Sequence, residues 1–227
     1  RPALEALARL YEQEGQHADA AEMYEQLLEE AGMDSYARTA LNAGSLYRQV
    51  EDVEALLRVL EGALEKAEEM SATDRTDVEE ALLAAYRDNE RWQALADLVF
   101  AQAERSSDED EKLVLYRRAA ALHAERREDF PRAAEIYEKA LAVKSEDRGL
   151  MMTLSDVYTS AGRLADSIGM LERIVESYHG RRSKELAEVH HRIAQAHLNG
   201  GDDLAALSSL KSARKIDPGS IGIQHQL

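Results

Sequence analysis

The sequence contains no cysteine, which excludes a disulfide framework, a thiolate nucleophile and a zinc–thiolate site while leaving the redox compartment open. Proline is nearly as scarce, at three of 227 residues (Pro2, Pro131, Pro218), and no Val/Ile/Thr-rich alternating run of strand length lies between turn residues. Strands therefore have little support. No apolar run approaches the roughly 20 residues needed to span a bilayer. Positive charge is in deficit, 28 Lys and Arg against 44 Asp and Glu, for a net charge of −16. Such a chain is repelled at long range by polyphosphate backbones and anionic lipid surfaces, so neither nucleic-acid binding nor membrane insertion is expected.

Chemical motifs are missing too. There is no glycine-rich phosphate loop, no nucleophile elbow, no plausible Ser/His/Asp set and no calcium loop with spaced oxygen ligands around a central glycine. Acidic runs such as "SSDEDE" read as solvated charge. The densest histidine cluster, "HHRIAQAH", places His190 and His197 on one helical face but about 10.5 Å apart along the axis, too far to share a metal ion. The sequence thus implies no enzyme, no cofactor and no metal site.

What is abundant is Ala and Leu, the best helix formers, against only 5% aromatic residues, a composition suited to closely packed helices. Two stretches nearly coincide: "AAEMYEQLL" at Ala20–Leu28 and "AAEIYEKAL" at Ala133–Leu141. A repeated phrase calls for a search at fixed period. From the start, Leu4, Leu7, Ala8, Tyr11, Gly15, Ala20, Tyr24 and Leu27 set a frame of large residues around two small ones. Small residues let two helices approach, and large ones fill the grooves beside the contact. The frame recurs through Ala40, Gly44, Tyr47 and Leu60, then Leu82, Tyr86 and Val99, then Tyr116, Ala120, Ala133 and Tyr137. It returns twice more, through Leu154, Tyr158, Gly162 and Leu171 and through Ile193, Ala194, Gly201 and Ala206.

This pattern resembles the tetratricopeptide repeat, a helix–turn–helix unit of roughly 34 residues. The resemblance implies an all-α fold, a right-handed α-α superhelix of about six repeats, forming one domain over 1–227 with repeats near 1–34, 37–70, 76–109, 113–146, 148–181 and 187–220. The third repeat departs most, with Leu83 and Leu95 where small residues belong and Gln102 where an apolar one does. Joints longer than the period at "SATDRTD", "RSSDEDE" and "HGRRSKE" predict N-caps such as Thr76 and Ser107, and the fourth repeat predicts an extra residue in the turn before Pro131. Seven of nine tyrosines (11, 24, 47, 86, 116, 137 and 158) fall at signature positions and read as packing groups, as does Trp92 at a hairpin turn. Glycines 15, 162 and 201 occupy turns that favour a positive φ. Arg1 in place of Met and the closing "PGSIGIQHQL", which reads as the start of another helix, predict an internal fragment of a longer protein.

In the family the concave face is lined mainly by the first helix of each repeat, and partners, usually peptides, lie along it. Positions 2, 5, 6, 9, 12 and 13 of the six repeats carry charges summing to −1, so most of the −16 is expected on the outer face and loops. The groove candidates are Arg38, Asn42, Arg48, Arg87, Arg117, Arg118, His191, Arg192, Gln195 and Asn199. Arginine's planar fork suits carboxylates and amides suit a peptide backbone, which points to a protein or peptide ligand with acidic residues or a free C-terminus. The carboxylate clamp of chaperone-binding members is not reproduced: Glu5 and Asp77 stand where it needs lysine. The sequence thus implies a non-catalytic protein-interaction scaffold, monomeric or weakly self-associating and cytoplasmic. The alternatives are a self-association module or the regulatory arm of a larger multidomain protein.

Overall fold

The computed structural model describes residues 2–219, in which twelve α-helices and one 3-10 turn occur and no strand is found. In chain order they are α1 (Pro2–Gln13), α2 (His17–Glu30), α3 (Met33–Gln49), α4 (Val53–Glu65), α5 (Ala72–Asp88) and α6 (Trp92–Arg105). The second half contains α7 (Glu109–Arg127), α8 (Phe130–Val143), α9 (Arg148–Ser160), α10 (Leu164–Ser177), α11 (Lys184–Asn199) and α12 (Asp203–Ile216). The proposed helix within "PGSIGIQHQL" falls largely outside the described residues. Two compact units are present, residues 1–98 and 99–227, divided within α6. In the first, α1 packs on α2, α2 on α3, α3 on α4, and α4 on α5. In the second, each of α7 to α11 packs on its successor in the same way, with odd-numbered helices in the first position of each hairpin.

The hairpin turns share one backbone solution. Gly15, Gly162 and Gly201 have φ of +74°, +74° and +77°, as their positions predict. The equivalent residues of the other three hairpins are Glu51, Glu90 and Glu128, also left-handed at φ +58°, +54° and +52°. A side chain makes that conformation costly, so hairpin geometry outweighs residue preference at these three places.

Helix starts are fixed mainly by short polar side chains. Asp52, Ser71, Asp108, Asp129, Asp147, Ser183 and Asp202 each accept a hydrogen bond from the backbone N–H three residues on. Ser71 and Asp108, not Thr76 and Ser107, are thus the caps of α5 and α7. Thr76 lies inside α5 and its hydroxyl donates to the Ala72 carbonyl at 2.9 Å. The added joint residues extend the helices that follow, which explains the difference: α5, α7 and α11 run to 17, 19 and 16 residues against 13 for α9. In the fourth hairpin the extra residue likewise joins α7, leaving only Glu128 and Asp129 between the helices, with Pro131 in the first turn of α8, where it forfeits no helix hydrogen bond.

The small residues of the frame are those packed tightest. Ala8, Ala20, Ala120, Ala133 and Ala194 have no accessible surface. Tyr47, Tyr86, Tyr116 and Tyr158 are buried at the ring but reach a specific partner at the hydroxyl. Tyr47 donates to Glu25 at 2.7 Å, Tyr86 to Glu61 at 2.8 Å, Tyr116 to Glu104 at 2.6 Å and Tyr158 to Glu138 at 2.8 Å. Each bond joins the first helix of one hairpin to the second helix of the preceding one. Cations complete three of these clasps: Arg58 binds Glu25 with both prongs, Lys139 binds Glu104 and Arg163 binds Glu138. Ring burial, then the glutamate hydrogen bond, raises the phenol pKa of Tyr116 to about 12, and Tyr24 reaches about 12 by burial and its bond to Glu12. Tyr47, Tyr86 and Tyr158 shift the same way.

A raised folded-state pKa means the folded chain holds the phenolic proton more tightly, so this stability is complete below the ordinary tyrosine value of about 10 and is lost above it. The denaturation midpoint is therefore expected to fall as pH rises from 10 through 12, with phenolate absorbance from most tyrosines appearing late. Phenolate titrating in one step near pH 10 in the folded protein would refute the clasps.

Candidate functional site

All ten groove candidates lie on first helices of hairpins. Arg38, Asn42 and Arg48 stand on α3 and Arg87 on α5, and all four are exposed in the first unit. Arg117 and Arg118 stand on α7, and His191, Arg192, Gln195 and Asn199 on α11, in the second.

Arg117 has a structural engagement. Its guanidinium donates to Asp147 Oδ2 at 2.7 Å, while Asp147 Oδ1 caps α9 through the Leu150 N–H at 3.0 Å. The Leu150 N–H and then the Arg117 charge outweigh burial and hold the Asp147 carboxyl below its usual range. Asp147→Ala is expected to cost about 1–2 kcal/mol, because it removes both a cap and an ion-pair partner. Asp147→Asn should cost less, keeping the cap. A depressed carboxyl contributes stability above its unfolded pKa of about 3.9 and loses it as pH falls further. The acid limb of the stability–pH curve should therefore flatten in both variants, and an unchanged limb would count against the pairing.

Arg192, Gln195 and Asn199 do come together. They project at helical spacing into a cavity of ≈ 330 Å³ between α9 and α11, facing Asp156, Thr159 and Ser160. Its base is made by the buried Ser155, Ser167, Leu171 and Ala196. The base hydroxyls are satisfied internally: Ser155 donates to the Met152 carbonyl, and Thr159 and Ser167 share a hydrogen bond at 2.9 Å. Arg192 bridges to Asp156 through Nη1, and its Nε, buried and without a hydrogen-bond partner, lies 3.4 Å from Glu188 Oε1. His191 Nδ1 approaches the other Glu188 oxygen at 3.9 Å, beside the cavity. The exposed amides of Gln195 and Asn199 rim it. With one arginine against two carboxylates the cavity carries no positive excess, so it offers paired charge, amides and a partly apolar base rather than an anion trap.

The histidines and the tryptophan have ordinary surroundings. His190 is half-buried, and burial lowers its pKa. Among the described residues no group of three or more His, Cys, Asp or Glu is placed to hold a metal ion, and no helix is long and apolar enough to cross a membrane. Trp92 is half-buried at the start of α6.

A second cavity was not anticipated from the sequence. It measures ≈ 1050 Å³ and forms where the joint between α10 and α11 meets the start of α9. Arg148, Arg173, Arg181 and Arg182 line it, with Glu146, Glu176, Tyr178 and His179. The available signal was the paired arginine in "HGRRSKE", visible as an over-long joint but silent on the two arginines the fold brings to it.

Comparison with known proteins bears on the fold. Residues 3–34 match the family model described as tetratricopeptide repeat. No curated protein matches the sequence. Among solved structures, the putative kinesin light chain with nearly identical TPR-like repeats from Podosopora anserina is 20% identical, with a TM-score of 0.51 over 80% of this chain and 95% of that one. A chain of the Naa15/Naa10 assembly bound to HypK-THB superposes at a TM-score of 0.65 and 15% identity, covering 99% of this chain and 33% of that one. At these identities the likeness is one of fold.

Proposed function

Proceeding from the chain as a tetratricopeptide-repeat protein, we propose that it is a non-catalytic scaffold that receives an extended peptide of a partner protein along its first-helix face, with the α9–α11 cavity as the principal contact. The observation that carries this is the grouping of Arg192, Gln195 and Asn199 around one cavity, with the two amides exposed at its rim. Amide side chains on a rigid helix can donate to and accept from a peptide main chain, and a preformed surface lowers the ordering cost of binding. Because Asp156 and Glu188 already face Arg192, this cavity selects main-chain and polar groups. An acidic preference, if the peptide has one, is read elsewhere.

The test is site-specific photo-cross-linking. A cross-linker at Gln195 or Asn199 should capture the same partner, mapped to one segment, while one at the exposed Lys211 on α12 should not. A synthetic copy of that segment should bind the native chain about tenfold more tightly than the Gln195→Ala/Asn199→Ala variant, the loss expected for two modest hydrogen bonds. Equal capture from Lys211 would overturn the reading. Capture of only a second copy of this chain would replace it with self-association, for which the exposed Leu204 and Leu207 of α12 would be the natural contacts.

A further inference from the structure

Two unabsorbed features are less informative than the arginine-lined joint: nothing shows what covers the exposed leucines of α12, and the clasp glutamates are already partnered. In the joint, α10 ends at Ser177 and the chain reverses through two left-handed residues, His179 at φ +48° and Gly180 at φ +77°. The Arg181 N–H donates to the Tyr178 carbonyl at 2.9 Å and closes the turn, bringing Arg181 and Arg182 to the cavity that Arg148 and Arg173 also line.

The side-chain partners of Arg148 and Arg173 are neutral. Arg148 donates from Nε to Ser177 Oγ at 2.8 Å and from Nη2 to the Ser177 carbonyl at 2.7 Å, with its guanidinium stacked 4.2 Å from the centre of the Tyr178 ring. Arg173 contacts Met170 Sδ at 3.8 Å. Among the described residues none of the four forms an ion pair, whereas Arg58, Arg75, Arg117, Arg163 and Arg192 all do. Four guanidiniums thus face two carboxylates, Glu146 and Glu176, in a chain of net charge −16. A local positive excess held in place by neutral hydrogen bonds and ring stacking retains its charge for a ligand.

We propose that this joint is an oxyanion-binding site for a short acidic segment of a partner protein, whose carboxylates are received by the guanidinium N–H groups that the neutral contacts leave over. Arginine's planar donors match carboxylate geometry. Ligand length follows from screening: at physiological ionic strength the Debye length is about 8 Å, so a few residues seated in the cavity respond to the arginines beside them. An extended polyanion such as a nucleic acid or an anionic membrane meets the acidic surface as well and is disfavoured. The site lies away from the α9–α11 cavity and uses different residues, so it stands or falls separately from the groove.

The test is fluorescence anisotropy with a library of labelled octapeptides carrying glutamate at two central positions, beside matched glutamine and phosphoserine libraries. The glutamate library should bind, more weakly as salt rises, and the glutamine library should bind at least about tenfold less well. Arg173→Ala/Arg182→Ala, with helicity confirmed by circular dichroism, should lose about tenfold or more, and Arg148→Lys, which forfeits the planar fork, should lose part of that. Gln195→Ala/Asn199→Ala should leave this binding unchanged. No binding of the glutamate library, equal binding of the glutamine library, or indifference to the arginine variants would overturn the proposal, and binding of the phosphoserine library alone would overturn the carboxylate assignment.

Discussion

Replacing Leu60 with alanine is expected to remove about 2–5 kcal/mol of stability, with the loss toward the upper end of that range. Leu60 on α4 is 1% exposed. Facing it on α3 is Gly44, where an added Cβ would lie 3.2 Å from Leu60 Cδ2 and 3.3 Å from its Cγ. Leu60 therefore fills the space a glycine leaves, and once it is truncated no side chain at position 44 can move in. A cavity that cannot collapse costs more than the transfer of the lost methyls alone. The compensating change follows from the same geometry: Gly44→Ala is cramped in the native chain, but beside alanine at position 60 it should recover about 1 kcal/mol, combining a partial refill with the helix preference of alanine over glycine. Trp92 is the sole tryptophan and lies in the same unit, so its fluorescence in denaturant reports both effects. A Leu60→Ala midpoint indistinguishable from the native one would mean that the α3–α4 contact is looser than described.

The opposite error in packing should be nearly as damaging. Ala206→Leu is expected to cost about 1–3 kcal/mol. Ala206 at 1% exposure, Ala194 at 0% and Leu210 at 2% form one cluster, and α11 and α12 approach each other through the two alanines. A leucine there must push the helices apart or adopt a strained rotamer, and the α9–α11 cavity, which shares α11, should widen with it. Leu204→Ala provides the control: Leu204 is 83% exposed, two residues away on the same helix, and its loss should change stability by no more than about 0.5 kcal/mol. Thermal unfolding followed by circular dichroism separates the two, and equal effects would refute the close helix contact.

Much of the fold was legible because it is written in residue size at fixed spacing. Ala20, Ala133 and Ala206 mark close contacts, and Gly15, Gly162 and Gly201 mark turns, in the sequence as in the structure. The equivalent turns at Glu51, Glu90 and Glu128 were not legible, since no local preference favours glutamate at positive φ and only the surrounding hairpin imposes it. The tyrosines were legible as buried rings but not as donors, because their acceptors follow no fixed spacing: Tyr47 finds Glu25, 22 residues earlier, while Tyr116 finds Glu104, 12 residues earlier. His123, at the place in the fourth repeat that Tyr47 and Tyr158 hold in theirs, turns instead to Arg127, with Nδ1 3.1 Å from its Nη1.

The candidate site divides the same way. Arg192, Gln195 and Asn199 share a face by helical spacing alone, so a cavity rim on α11 could be read directly. That Asp147 would engage Arg117, and Asp156 would engage Arg192, depends on contacts 30 and 36 residues distant in sequence. These pairings tie two of the candidate arginines, Arg117 and Arg192, to the following or preceding hairpin and place the emphasis on the amides. The arginines at 148, 173, 181 and 182 meet only because the α10–α11 joint folds back on α9.

The most direct test of the receptor account uses the side-chain amide resonances of Gln195 and Asn199 in isotope-labelled protein, titrated with the peptide recovered by cross-linking at Asn199. The account predicts that both resonances shift saturably, together with backbone signals of α9 and α11, while the protein keeps its unliganded oligomeric mass. Unmoved amides with shifts confined to α12, or shifts that track protein concentration without added peptide, would contradict it.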